Sequence, residues 1–174
     1  SPASQEKPWN FAIGDVMGKG VPAGLIMTML RGMLRAEVLN NHSPGKILQN
    51  LNCVMHNDLE SSNRFVTLFY AEYDPKTQLF AYGNAAHNPP LLWQATTNTI
   101  SRLDADGMLL GLDIDTRYHE GQTQLHPGDV VIFYTSNLFR HFIGPYRSKL
   151  YYTTLVVMKI TKPAEFRQLS TIEA

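Results

Sequence analysis

The segment FAIGDVMGKGVPAGL, Phe11 to Leu25, sets one carboxylate, Asp15, at the end of an apolar run and follows it with glycines. A carboxylate is a hard oxygen donor, and a flexible backbone lets a neighbouring carbonyl oxygen join it. Mg2+ and Mn2+ take such oxygens and keep several waters. A water held by such an ion is a nucleophile at neutral pH, suited to attack on a phosphate ester. A structural alternative uses the same residues. Asp15 then ends a strand or caps a helix, and the glycines only permit a tight strand-to-helix turn. The local pattern leaves both open.

Two phosphate-binding motifs fail on spacing. A P-loop has four residues between its glycines, then Lys and a hydroxyl residue. Gly14 and Gly18 have three between them, and Gly20 follows Lys19, so no hydroxyl is placed for Mg2+. Gly18, Gly20 and Gly24 approach the dinucleotide fingerprint with one residue too many, and no strand–helix–strand unit follows. A nucleotide site built on this corner is disfavoured on those grounds.

Other chemistry-bearing residues read more plainly. His87, in NAAHNPP, is expected to be a turn histidine bonded to backbone, with substrate contact as the alternative. Arg31, Arg35 and Arg64 could pair with a phosphate but read as surface helix and strand-end charges. Asp104, Asp106, Asp113 and Asp115 flank GMLLGL without calcium-loop spacing and read as a solvated loop. Met27, Met29 and Met33 read as core filler, and Cys53 as buried and inert. None of the six histidines stands at metal-finger spacing with a cysteine.

The elements that must position these groups follow from periodicity and turn chemistry. Trp9–Val16 is a short strand ending at Asp15. Pro22 to about Asn40 is a helix with Leu25, Met29, Met33 and Leu34 on one face. Ser43 is expected to cap a second helix, with Pro44 at its first position and Ile47, Leu48, Leu51 and Met55 as its stripe. Arg64–Tyr73 and Leu79–Ala86 form a hairpin about the DPKTQ turn. Leu91–Trp93, Ile100–Leu103, His119–Leu125, Val130–Thr135 and Leu155–Ile160 are further strands. Strand, two helices, then strands joined by turns predicts an α+β fold with a largely antiparallel sheet.

Composition bounds the setting. The chain has 174 residues, long enough for one domain with a true core. Fifteen basic residues balance fifteen acidic ones, which gives no electrostatic reason for a nucleic-acid or anionic-membrane partner. One cysteine excludes an internal disulfide and fits a reducing compartment. No apolar run reaches bilayer length and the start is polar. A cytoplasmic protein is expected, with residues 1–10 as lead-in, 11–160 as the domain and 161–174 as a polar tail.

Four blocks occur in order: GDVMGKGVPAGLIMTMLRG, RFVTLFYAEYDPKTQLFAYGNAAHNPPLL, GMLLGL and LHPGDVVIFYT. The series resembles the metal-dependent protein phosphatases (PPM, the 2C class), most of all the bacterial SpoIIE-type branch, which acts on regulators of sigma factors. The resemblance covers about Phe11–Thr135 and returns at Thr154–Ile160. It implies an antiparallel β-sandwich flanked by helices, incomplete here. It also implies two Mn2+ or Mg2+ ions that activate water against phosphoserine or phosphothreonine on a signalling protein. By the same resemblance, Asp15 matches the aspartate that bridges both metals, and Val16 the residue whose backbone carbonyl binds one.

The chain departs from that pattern in four places, one of them the short run Leu138–Leu150 where the family carries a longer helical segment. Ser136, in YTSN, stands where the family reads Y-T-D-G. Tyr151 and Tyr152, in YYTTL, stand where it reads D-D-x-T-L. The family's G-G-D strand has no counterpart in this sequence, so Trp9–Val16 is expected at an open sheet edge that invites a second copy. Two divalent ions repel strongly and need several carboxylates. The expectation is therefore a phosphatase domain impaired in this chain, with one weakly held ion or none. The alternative is a non-catalytic pseudophosphatase that serves as an interaction module.

Overall fold

The computed structural model describes residues 8–135 and 155–160, with backbone alone at 155–157. The elements in chain order are β1 (Trp9–Val16), α1 (Val21–Leu39), α2 (Pro44–Ser61), β2 (Val66–Asp74), β3 (Leu79–Ala85), β4 (Leu91–Gln94), β5 (Thr99–Arg102), β6 (Glu120–Gln124), β7 (Val130–Tyr134) and β8 (Leu155–Lys159). Two antiparallel four-stranded sheets result, ordered β1-β2-β3-β6 and β5-β4-β7-β8. With the two helices they give the α+β class expected from the order of patterns.

The chain divides into two compact units, and the first holds Ser1–His87 with Asp104–Gln124. Its β2–β3 hairpin turns where Asp74 folds back on its own backbone. Oδ1 accepts from Lys76 N at 2.9 Å and Oδ2 from Thr77 Oγ1 at 3.0 Å. The sheet alternates strictly. Val16, Val66, Leu68, Tyr70 and Ala85 pack with Ile26, Leu30 and the α2 stripe Ile47, Leu48, Leu51, Met55 and Leu59. The opposite face is aromatic at one end: Phe69 stacks on Tyr82 at 5.6 Å, and Phe11 lies 6.2 Å from Phe80. β1 is an edge strand among the described residues, as expected.

Three details differ from the sequence expectation. Leu25 is 66% exposed and Met27 is exposed, while Ile26 and Leu30 carry the buried face of α1. Leu25 lies one residue, about 100°, round the helix from Ile26, so the apolar surplus of α1 hid which face turns inward. Cys53 is exposed, because it falls between Leu51 and Met55 and therefore on the far side of α2. Ser43 occupies the N-cap of α2 but makes no side-chain cap bond. The free Gly45 N–H instead donates to Glu120 Oε1, 2.8 Å away on β6. A distant strand thus satisfies the helix end.

The second unit holds Asn88–Leu103 and, from Leu125 on, the remaining described residues. β4 pairs with β5 from Leu91↔Arg102 to Gln94↔Thr99, and β7 pairs with β8 from Val130↔Lys159 to Tyr134↔Leu155. The HPGD turn is set by buried Asp129, whose oxygens accept from Ala95 N at 2.9 Å and His126 N at 2.8 Å. No helix among the described residues is long and apolar enough to cross a membrane.

Candidate functional site

Asp15 is the penultimate residue of β1 and stands opposite Thr67 in the β1–β2 register. It is exposed, and among the described residues its carboxylate takes part in no hydrogen bond or ion pair. It does not cap α1. The N-cap there is Gly20, without a side-chain cap bond. The capping alternative is thereby excluded. What remains is an uncommitted carboxylate at a strand tip.

Val16, the next residue, presents an outward backbone oxygen. Its register partner, Val66, gives both backbone groups to Leu110, at 3.2 Å and 2.9 Å. In an antiparallel ladder such groups alternate sides. Val16, opposite Val66, therefore turns its own N–H and carbonyl outward, away from β2. An exposed carboxylate and an outward carbonyl on consecutive residues suit one hard cation that keeps several waters.

The glycine corner holds these two donors in place. Gly18 has φ +105°, in the left-handed region, and a Cβ there would lie 1.8 Å from Arg64 Nη1. The guanidinium fills that space and donates from Nη1 to the Met17 carbonyl at 2.8 Å. Arg64 is thus a half-buried strut of the corner, not a free strand-end charge. Arg31 and Arg35 are exposed on α1, as expected.

Behind Asp15 lies a polar network that the sequence did not disclose. Thr67 Oγ1 and His87 Nδ1 are 2.9 Å apart. His87 is 4% exposed, and its backbone is clamped by one side chain. Its N–H donates to Asn84 Oδ1 at 2.8 Å, and its carbonyl accepts from Asn84 Nδ2 at 3.0 Å. Asn84 Nδ2 also donates to Asp104 Oδ1 at 2.9 Å. Ala86, at φ +53°, turns the chain so that the ring meets Thr67. The imidazole therefore bonds a hydroxyl, where a backbone partner was expected. Asp104, Asp106, Asp113 and Asp115 are all exposed, in keeping with a solvated loop, although Asp104 also anchors Asn84. The only sequence hint of the network was the polar pair Asn84 and His87 at a strand end.

Among the described residues no three His, Cys, Asp or Glu side chains gather as a metal-binding group. Asp15 alone cannot balance two divalent ions, which would need further acids. Ser136, Tyr151 and Tyr152 lie outside the described residues.

Comparison with known proteins bears on this geometry. The family model described as Stage II sporulation protein E (SpoIIE) matches residues 5–140. Phosphoserine phosphatase RsbU of Bacillus subtilis is 33% identical over 129 residues, covering 74% of this chain and 38% of that protein. The crystal structure of the RsbU and RsbW domains of Rv1364c from Mycobacterium tuberculosis superposes with a TM-score of 0.64 at 27% identity, covering 74% of this chain and 36% of that one. RsbX in complex with magnesium gives 0.62 at 19% identity, covering 76% and 62%, a likeness of fold. The chain thus spans well under half the length of RsbU and of Rv1364c.

Proposed function

The chain belongs to the SpoIIE family, and from that premise we propose that its domain is a metal-dependent protein serine/threonine phosphatase, impaired by the loss of metal-ligating acids. The substrate class is phosphoserine or phosphothreonine on a protein regulator of the anti-sigma-antagonist type. RsbU carries the description phosphoserine phosphatase, and the magnesium complex of RsbX supports a hard divalent ion as the cofactor. The observation that carries the reading is the exposed, unpartnered Asp15 carboxylate beside the outward Val16 carbonyl.

These two residues would hold one Mn2+ or Mg2+, which supplies Lewis-acid polarisation of a phosphate ester and its attacking water. The protein's own part is to keep the donors rigid. The β1–β2 ladder fixes Asp15 and Val16 from one side, and the Arg64–Met17 bond fixes the turn that follows them. Ser136, Tyr151 and Tyr152 replace acids in the family pattern, and each replacement removes negative charge that two ions would require.

The test is hydrolysis of a phosphoserine peptide and of an aryl phosphate with Mn2+, by wild type and Asp15→Ala. Turnover that is slow yet lost in Asp15→Ala is the expected result. No turnover above blank would remove the catalytic reading. The three degenerate positions favour a second reading, a pseudophosphatase that binds the phosphoprotein without hydrolysing it. Phosphopeptide binding with no turnover would identify that case.

A further inference from the structure

We infer that His87 is a positioning residue that holds the Thr67 hydroxyl off the Asp15 carboxylate, leaving both carboxylate oxygens to the cation. The inference rests on the reading of Asp15 as a metal ligand. Directly opposed residues on antiparallel strands carry their Cβ atoms about 4.5–5.5 Å apart on one face of the sheet. Asp15 and Thr67 are such a pair. A threonine hydroxyl facing an ionised carboxylate has a strong acceptor within a single χ1 step of about 120°. In this structure it does not take that acceptor. It is bonded to His87 Nδ1 at 2.9 Å.

The ring is built to hold it there. His87 is buried, and Asn84, itself 2% exposed, brackets its backbone with two hydrogen bonds and is anchored in turn on Asp104. Buried polar groups are costly unless satisfied, and this network commits two buried residues, His87 and Asn84, to the placement of one hydroxyl. Without the imidazole, the Thr67 hydroxyl is free to donate across the ladder to Asp15. A hydrogen bond to a charged acceptor would then compete with the ion for the same oxygens.

The test is calorimetric titration of Mn2+ into wild type, His87→Ala, His87→Asn, Thr67→Val and the double variant His87→Ala/Thr67→Val. His87→Ala should weaken Mn2+ binding several-fold. Thr67→Val, which removes the hydroxyl but keeps the shape, should bind at least as tightly as wild type. The double variant should return to the Thr67→Val value. His87→Asn, whose amide nitrogen falls near the Nδ1 position, should retain most of the affinity. A purely structural histidine would give losses that removal of a neighbouring hydroxyl cannot reverse. A double variant as weak as His87→Ala, or a weakened Thr67→Val, would overturn the inference while Asp15 stands as the ligand. No Mn2+ binding by wild type would overturn both.

A second readout needs no metal and no loss of the ring. Nitrogen-15 spectra of the six histidines should show Thr67→Val moving the ring signals of His87 and leaving the other five in place. Unmoved His87 signals would mean that the Thr67 bond is absent, and would also overturn the inference.

Discussion

Asp15 and Thr67 stand opposite each other across the β1–β2 ladder, yet the hydroxyl of one is bonded to His87 and the carboxylate of the other to nothing among the described residues. Sheets normally spend such opposed polar pairs on each other. Here the pair is kept apart, and the consequence is an exposed anionic oxygen pair at the sheet edge where the Val16 carbonyl also points.

Removal of that charge should separate binding from folding. Asp15→Asn keeps the shape and disturbs no bond among the described residues. Its stability should stay within about 0.5 kcal/mol of wild type, as for surface changes away from special features. Mn2+ affinity should fall at least about tenfold, because a neutral amide is a poor ligand for a hard cation. Urea denaturation and titration on the same sample check the pair of outcomes. A destabilised variant would show that Asp15 has a structural bond after all.

The α2 terminus offers a contrast between two candidate caps. Ser43→Ala should change stability little, since its hydroxyl makes no cap bond. Glu120→Ala should cost about 1 kcal/mol, the usual worth of a helix cap, because Glu120 Oε1 accepts from Gly45 N at 2.8 Å. Denaturant midpoints of the two variants decide it. Equal losses would contradict the assignment.

That contrast also marks what could be read from the chain. The strands and helices came from local period and turn chemistry, and β1, β2, β3 and the α2 stripe fall where the residues put them. Ser43 sits at the N-cap as the pattern implies, but its function passed to Glu120, which lies seventy-five residues beyond the Gly45 N–H it accepts from. The place of Asp15 at a strand tip was legible because a strand end and glycines are local features, whereas Val16 was singled out only by the family resemblance. Thr67, Asn84 and His87 were not legible as a group, because their meeting depends on register between strands and on the turn at Ala86. Cys53 was misplaced for a related reason: a lone residue between two core positions carries no period of its own.

Asn52 ties a long loop to α2 and should be intolerant of change. It is fully buried, with Oδ1 accepting from Gly111 N at 2.8 Å and Nδ2 donating to the Asp113 carbonyl at 2.8 Å. Gly111 itself lies at φ +89°, pressed so close to Leu59 that a Cβ would come within 2.6 Å. Asn52→Leu strands the Gly111 N–H without its partner and takes one of two donors from the Asp113 carbonyl, which keeps Thr116 N at 3.2 Å, a loss of about 1–3 kcal/mol. Chemical denaturation gives the value directly. A near-neutral variant would mean that water replaces the amide.

The α1–α2 junction should carry part of the acid sensitivity of the fold. Glu37 Oε2 accepts from Asn50 Nδ2 at 2.7 Å and from His42 Nδ1 at 2.9 Å. Those two bonds, the Asn50 bond first, hold its carboxyl below the ordinary value of 4.5. The folded protein therefore binds this proton less tightly than the unfolded chain does. The stabilisation is fully present above pH 4.5 and is lost as pH falls through the lower, folded-state value. Glu37→Gln should cost about 1 kcal/mol at pH 7, since a neutral acceptor bonds more weakly than a carboxylate and the site is only partly screened from water. The gap between variant and wild type should narrow below pH 4.5, where the wild-type carboxylate itself takes up a proton. Urea midpoints measured from pH 7 down to pH 4 trace it. A gap that stays constant across that range would place the effect in packing and not in the charge of Glu37.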